Sequence, residues 1–160
     1  MAIFESSNST GYVIQGAVAG DQLGSSVSGA GDVNKDGFAD IIVGARFAGP
    51  HSRTEAGAAY LIFGKGGGFS TLSLDGFSSG SAGFIIQGGA AGDYLGSAVS
   101  AAGDVNNDTY ADILVGAYGA DPNSREGAGA AYLILGRAAG FATLDMAIFE
   151  SSNSTGYVIQ

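Results

Sequence analysis

Asp32-Val33-Asn34-Lys35-Asp36-Gly37-Phe38-Ala39-Asp40 puts oxygen-bearing side chains at positions one, three, five and nine of a nine-residue loop. Alternate residues of a tight loop point to one side, so Asp32, Asn34 and Asp36 can converge on a cation. The carbonyl of Phe38 and the carboxylate of Asp40 would approach it from below. Such an all-oxygen set suits calcium, which takes roughly six to eight oxygens in irregular geometry, whereas magnesium demands a near-ideal octahedron. Gly37 at position six supplies the left-handed backbone that a loop wrapped around an ion needs. The loop recurs 72 positions later as Asp104-Val105-Asn106-Asn107-Asp108-Thr109-Tyr110-Ala111-Asp112. Asp and Asn at alternate positions also form Asx turns that hold no metal, and recurrence in phase favours the ion over that reading. An EF-hand is excluded, because the bidentate Glu it needs at position twelve is Val43 in one loop and Val115 in the other.

Those valines belong to Ile41-Ile42-Val43 and Ile113-Leu114-Val115, apolar runs that read as buried strands. Aligned on itself, the chain has a period of 72 residues from Gly11 to Gly83 and of 73 from Gly83 to Gly156. Repeats of this size are stacked supersecondary units. Within each unit a small-residue strand, Leu23 to Gly31, runs into the loop. The apolar strand Ala39 to Ala45, a polar connection, the strand Gly57 to Phe63, a Gly-rich linker and the strand Gly83 to Gln87 follow. The second unit runs Leu95 to Gly103, Ala111 to Ala117, Gly129 to Leu135 and Gly156 to Gln160. With 29 glycines, β-branched clusters and no helical periodicity, the chain is all-β. A four-stranded antiparallel unit has the size of one β-propeller blade. Residues 16–87 make blade one and 88–160 blade two, while 1–15 supply an extra outer strand for a preceding blade. Ile41, Val43, Tyr60, Ile62 and Phe63 are expected to fill the faces between blades.

The runs Gly44-Ala45 and Gly57-Ala58-Ala59-Tyr60-Leu61-Ile62-Phe63-Gly64, with the Asp-x-Asn-x-Asp-Gly-x-x-Asp loop, resemble the FG-GAP repeats of the integrin α-subunit β-propeller and of bacterial extracellular proteins. The resemblance covers nearly the whole chain. It implies calcium in the hairpin between the first and second strands, held by Asp32, Asn34, Asp36, the Phe38 carbonyl and Asp40. In the second repeat the same places fall on Asp104, Asn106, Asp108, the Tyr110 carbonyl and Asp112. Two departures stand out: position three is Asn in both loops, and Thr109 replaces the loop glycine in the second. The resemblance further implies an extracellular or cell-surface setting.

Formal net charge is −9, and six of the fifteen acids lie in the two loops. Two calcium ions would bring the net charge to about −5. No basic patch invites nucleic acid. The absence of cysteine excludes disulfides, thiolate metal sites and cysteine nucleophiles. Residues 1–15 show no basic and apolar signal pattern, and no run approaches membrane-spanning length, so neither a leader nor a membrane partner is expected. His51, the sole histidine, has Asn123 as its counterpart and no paired base or nucleophile. Gly64-Lys65-Gly66-Gly67-Gly68 lacks phosphate-loop spacing and reads as a linker. Asp21 and Asp93, in matching Gly-Asp-x-Leu-Gly turns, read as turn residues. Arg53 and Arg125, recurrent in the connections on one rim, read as solvated surface, with contact to a ligand as the lesser reading.

These features describe a non-enzymatic, calcium-binding propeller unit serving as an integrin-like adhesion or recognition scaffold for a protein or glycan ligand. An engineered or excised propeller fragment without a ligand is a second reading. Accessory repeats of an extracellular hydrolase are a third. Residues 146–160 repeat residues 1–15 letter for letter, and two blades leave both outer faces of their stack bare. The chain is therefore expected to close head to tail into a homo-oligomeric ring, three copies giving six blades or four giving eight. In such a ring Gly11 to Gln15 of one copy and Gly156 to Gln160 of its neighbour compete for one strand position.

Overall fold

The apolar runs Ile41-Ile42-Val43 and Ile113-Leu114-Val115 become strands in the computed structural model, which describes residues 11–67, 70–138, 141–149 and 156–160. The strands are β1 (Ile14–Gln15), β2 (Leu23–Gly31), β3 (Asp40–Ala45), β4 (Ala58–Ile62), β5 (Leu72–Ser73) and β6 (Gly83–Gln87). They continue as β7 (Ala98–Gly103), β8 (Asp112–Ala117), β9 (Ala130–Ile134), β10 (Leu144–Asp145) and β11 (Gly156–Ile159). Two 3₁₀ turns, Pro50–Ser52 and Pro122–Ser124, and one short helix, α1 (Met146–Phe149), complete the described elements. Residues 1–10 and 150–155 of the terminal duplication lie outside the described residues.

The first sheet is ordered β10-β6-β4-β3-β2 and the second β11-β9-β8-β7. Four strands of each run antiparallel in sequence order, the form of a propeller blade. The connections that follow the Gly-rich stretches carry short strands that the sequence reading did not place. Leu144 and Asp145 pair in parallel with Ile86 and Gln87, and Leu72 and Ser73 pair in the same way with Ile14 and Gln15. A two-residue strand is too short to show as a pattern, and the linker glycines hide it. The expected strand Leu95 to Gly103 is also shorter, because Leu95 is drawn into a bridge with Gly57 of the first repeat.

The central strands of the first sheet, β3 and β4, are buried on both faces. Ile42, Leu61, Phe84 and Ile86 meet Ile113, Val115, Tyr132 and Ile134 of the second sheet in one core. A fully buried side chain of this kind contributes about 1.5–3 kcal/mol. Of the residues expected between the blades, only Phe63 joins that core. Tyr60 and Ile62 sit in a second cluster with Leu74, and Ile41, Ile14 and Leu72 pack against it. The reason is the strand's two-residue period, which sends neighbours to opposite faces, so an unbroken apolar run does not say which face meets which sheet. The inner strands β2 and β7 lie side by side.

Candidate metal centre

Each nine-residue loop joins an inner strand to the next, β2 to β3 and β7 to β8. Asp32 accepts from the Asp36 and Gly37 amides, Oδ1 at 3.0 Å and Oδ2 at 2.9 Å. Asn34 Oδ1 accepts from the same Asp36 amide at 3.0 Å, and Asp36 Oδ1 accepts from Phe38 N at 2.9 Å. Three side chains thus fold inward over one turn of backbone. The second loop repeats the set, with Asp104 accepting from Asp108 N and Thr109 N, Asn106 from Asp108 N, and Asp108 from Tyr110 N.

Asp40 stands at the loop's base. It is 1% exposed, and its carboxylate accepts from Val33 N and Gly64 N, both at 2.8 Å. Asp112, 0% exposed, likewise accepts from Val105 N at 2.8 Å and Gly136 N at 2.9 Å. Position nine therefore bolts the loop to the end of the third strand. Burial pushes the Asp40 carboxyl above its usual range, partly offset by its two amide donors, and the nearby charges of Asp36 and Asp32 push it further. Those carboxylates repel one another across a small space. Lys35, the cation within the loop, does not relieve them. Its Nζ hydrogen-bonds Thr109 Oγ1 of the second loop and lies 5.4 Å from the Tyr110 ring centre.

The structure brings Asp32, Asn34 and Asp36 together in each loop's Asx network and holds Asp40 below them. Among the described residues, no three acidic or histidine side chains form a preassembled metal cluster. The donor set nevertheless fits a hard cation: three carboxylates, one amide oxygen and one backbone carbonyl. Each acceptor oxygen keeps a lone pair beyond the amide it binds. Thr109 follows the glycine it replaces, with φ +77° against +90° at Gly37, and its amide makes the same bond, so the departure changes no contact in the turn.

The remaining sequence candidates are structural. Asp93 accepts from Ala90 N at 2.7 Å and clamps its turn. His51 Nε2 lies 3.0 Å from Gln87 Oε1 and 3.7 Å from Asp145 Oδ2, with no hydroxyl or thiol paired to it among the described residues. Arg53 is not solvated surface. Its side chain is 18% exposed, it grips Asp145 through two bonds of 2.7 and 2.6 Å, and it reaches the carbonyls of Gly88 and Gly89. Its partners lie 35 to 92 residues away, beyond any local pattern.

Residues 23–62 and 95–134 match the FG-GAP repeat model, one match for each four-stranded unit. The chain belongs to the FG-GAP repeat family. It is 30% identical to integrin alpha-5 of Xenopus laevis over 62% of this chain and 9% of that protein. It is 33% identical to human integrin alpha-IIb over 62% of this chain and 9% of the relative. It is also 33% identical to bovine phosphatidylinositol-glycan-specific phospholipase D, over 66% of this chain and 12% of that protein. The chain thus spans about a tenth of the relatives it matches. No helix of the described residues is long and apolar enough to cross a membrane.

Proposed function

We propose that the chain is a non-enzymatic, calcium-binding propeller unit that acts as an extracellular adhesion or recognition scaffold. The observation that carries this reading is the same oxygen-rich loop, closed by the same amide bonds, at the same place in two FG-GAP repeats. Asp32, Asn34, Asp36, the Phe38 carbonyl and Asp40 would hold one ion, and Asp104, Asn106, Asp108, the Tyr110 carbonyl and Asp112 the other. When bound, calcium supplies positive charge where three carboxylates crowd. The chain's own residues do the rest: the amides of Asp36, Gly37 and Phe38 orient the carboxylates, and Asp40 ties the loop to β4. The connecting loops, carried on this braced sheet, are the surface for a protein or glycan ligand.

Calorimetric titration of the chelated protein tests the ion, with two calcium ions per chain expected. A ligand that binds only the native state adds about 2.7 kcal/mol of stability at one hundred times its Kd, so chelator should lower Tm. An unchanged melt and no calcium by elemental analysis would show that the loops are Asx turns alone. Binding to a glycan array or to extracellular-matrix protein tests the recognition role.

The likeness to the bovine phospholipase favours a second reading, accessory repeats beside a hydrolase domain. Calcium-dependent binding without hydrolysis by this chain fits both. Turnover of a glycan or phospholipid substrate by the isolated chain would overturn the non-enzymatic reading.

A further inference from the structure

The second sheet leaves bare a face that the first sheet buries. Tyr157 is 58% exposed and Ile159 57%, whereas their repeat counterparts Phe84 and Ile86 are fully buried against the second sheet. Val105 is 52% exposed, and its counterpart Val33 is buried. Leu114, Leu133 and Tyr157 are cross-strand neighbours on this face. Their counterparts Ile42, Leu61 and Phe84 form the middle of the core between the sheets. The chain therefore shows what covers such a face: the opposite face of the next repeat.

Polar groups at the two ends of the chain match in the same way. Within the chain, Tyr94 N donates to Glu55 O at 3.1 Å and Leu95 N to Ala56 O at 2.9 Å, joining the repeats. The corresponding carbonyls at the far end are Gly127 and Ala128, and the corresponding amides at the near end are Gln22 and Leu23. Arg53 reaches forward into the next repeat, but the side chain of its counterpart Arg125 bonds only the Pro122 carbonyl among the described residues, at 3.4 Å.

The strand edges complete the match. β6 lies between β4 and β10, with Ile86 opposite Leu144. β1 sits beside β5 in the same register, Ile14 opposite Leu72, and β11 pairs with β9 as β6 pairs with β4. β1 and β11 lie in the same repeated segment, Gly-Tyr-Val-Ile-Gln at 11–15 and 156–160, and stand for one structural position, each paired among the described residues with one of its two neighbours.

We propose that the bare face of the second sheet docks the first sheet of a second copy of this chain, head to tail. β11 of one copy displaces β1 of the next from β5, setting Ile159 opposite Leu72 and Gln160 opposite Ser73. β11 prevails because four residue pairs anchor it to β9, against two between β1 and β5. The two surfaces differ, so the contact is heterologous, and successive copies close into a ring. The inference rests on packing within the chain and stands whether or not the loops hold calcium.

Native mass spectrometry and sedimentation of the full chain test it, with a closed assembly of three or four copies expected. Gly116→Ala is the sharpest variant. A Cβ there meets nothing nearer than 3.5 Å within the chain, whereas at the counterpart Gly44 it would come within 2.0 Å of the Gly96 carbonyl in the next repeat. Gly116→Ala should therefore leave the sheets intact by circular dichroism and reduce the assembly to single chains, and Ile159→Glu should do the same. Should either variant fail to fold alone, a Leu72→Cys/Ile159→Cys pair decides in an otherwise unchanged chain that has no cysteine. Oxidation should give reductant-sensitive multimers. A native chain of single-chain or dimer mass, variants that keep the native mass, or a cysteine pair that never links copies would overturn the proposal.

Discussion

Thr109 concentrates the cost of the second loop in one residue. A β-branched side chain at φ +77° lies in the left-handed region, at about 1–2 kcal/mol. In return it offers Oγ1 to Lys35, an exposed hydrogen bond between neighbouring loops. Strain exceeds a bond of that kind, so Thr109→Gly should raise stability by up to about 1 kcal/mol. Gly37→Thr should cost about 1–2 kcal/mol in the first loop. Paired thermal melts check both, and a destabilised Thr109→Gly would mean that the Lys35 contact dominates. Within either loop, charge sets the order of damage. Asp36→Ala removes a carboxylate and Asn34→Ala a neutral oxygen, so the first should weaken calcium affinity more, read by titration against the native chain.

At the scale of elements, the pair Arg53–Asp145 ties the polar connection of the first repeat to β10 of the second. The Arg53 guanidinium holds the Asp145 carboxyl below its ordinary range, helped by the Ala147 amide and opposed by partial burial. Because the folded value is depressed, the stabilisation is complete above the unfolded value and is lost as pH falls through the folded one. Acid unfolding should thus steepen below about pH 4. Asp145→Asn should flatten that limb and cost about 1 kcal/mol at neutral pH, since both side chains are partly solvated. Urea melts at pH 3 and pH 7 compare the two. None of this was legible in the sequence, where Asp145 sits at a linker's end and its partner lies 92 residues earlier. What was legible was local and periodic. The loops show in alternate Asp and Asn, and the strands in runs of which Leu23–Gly31 and Gly83–Gln87 keep their expected bounds while the others draw in by one to three residues. The blade plan shows in the 72-residue period. The choice of face for each side chain was not legible, because β3 and β4 are apolar at almost every position and their alternation carries no polar mark.

For the whole molecule, the proposed head-to-tail junction between copies would differ from the junction within a chain at one telling position. Inside the chain Arg53 meets Asp145, but the residue equivalent to Asp145 beside Arg125 of a docked neighbour is Ser73, on β5. The proposed inter-chain contact would thus lack the bidentate pair that braces the intra-chain one. Ser73→Asp supplies the missing carboxylate, and Arg125, exposed in the single chain, would gain the partner that its counterpart has. The loss is small: Ser73 Oγ accepts one bond from Asp75 N at 3.2 Å, which an aspartate can also accept. A partly buried bidentate pair contributes about 1 kcal/mol, which corresponds to about a fivefold fall in the concentration at which copies separate. Dilution followed by mass photometry measures that concentration. The gain should disappear in Ser73→Asp/Arg125→Ala, weaken at high salt, and be lost in acid as the new carboxylate protonates. If Ser73→Asp tightens assembly equally with Arg125 present or removed, β5 does not face Arg125 across the junction, and the head-to-tail register is wrong.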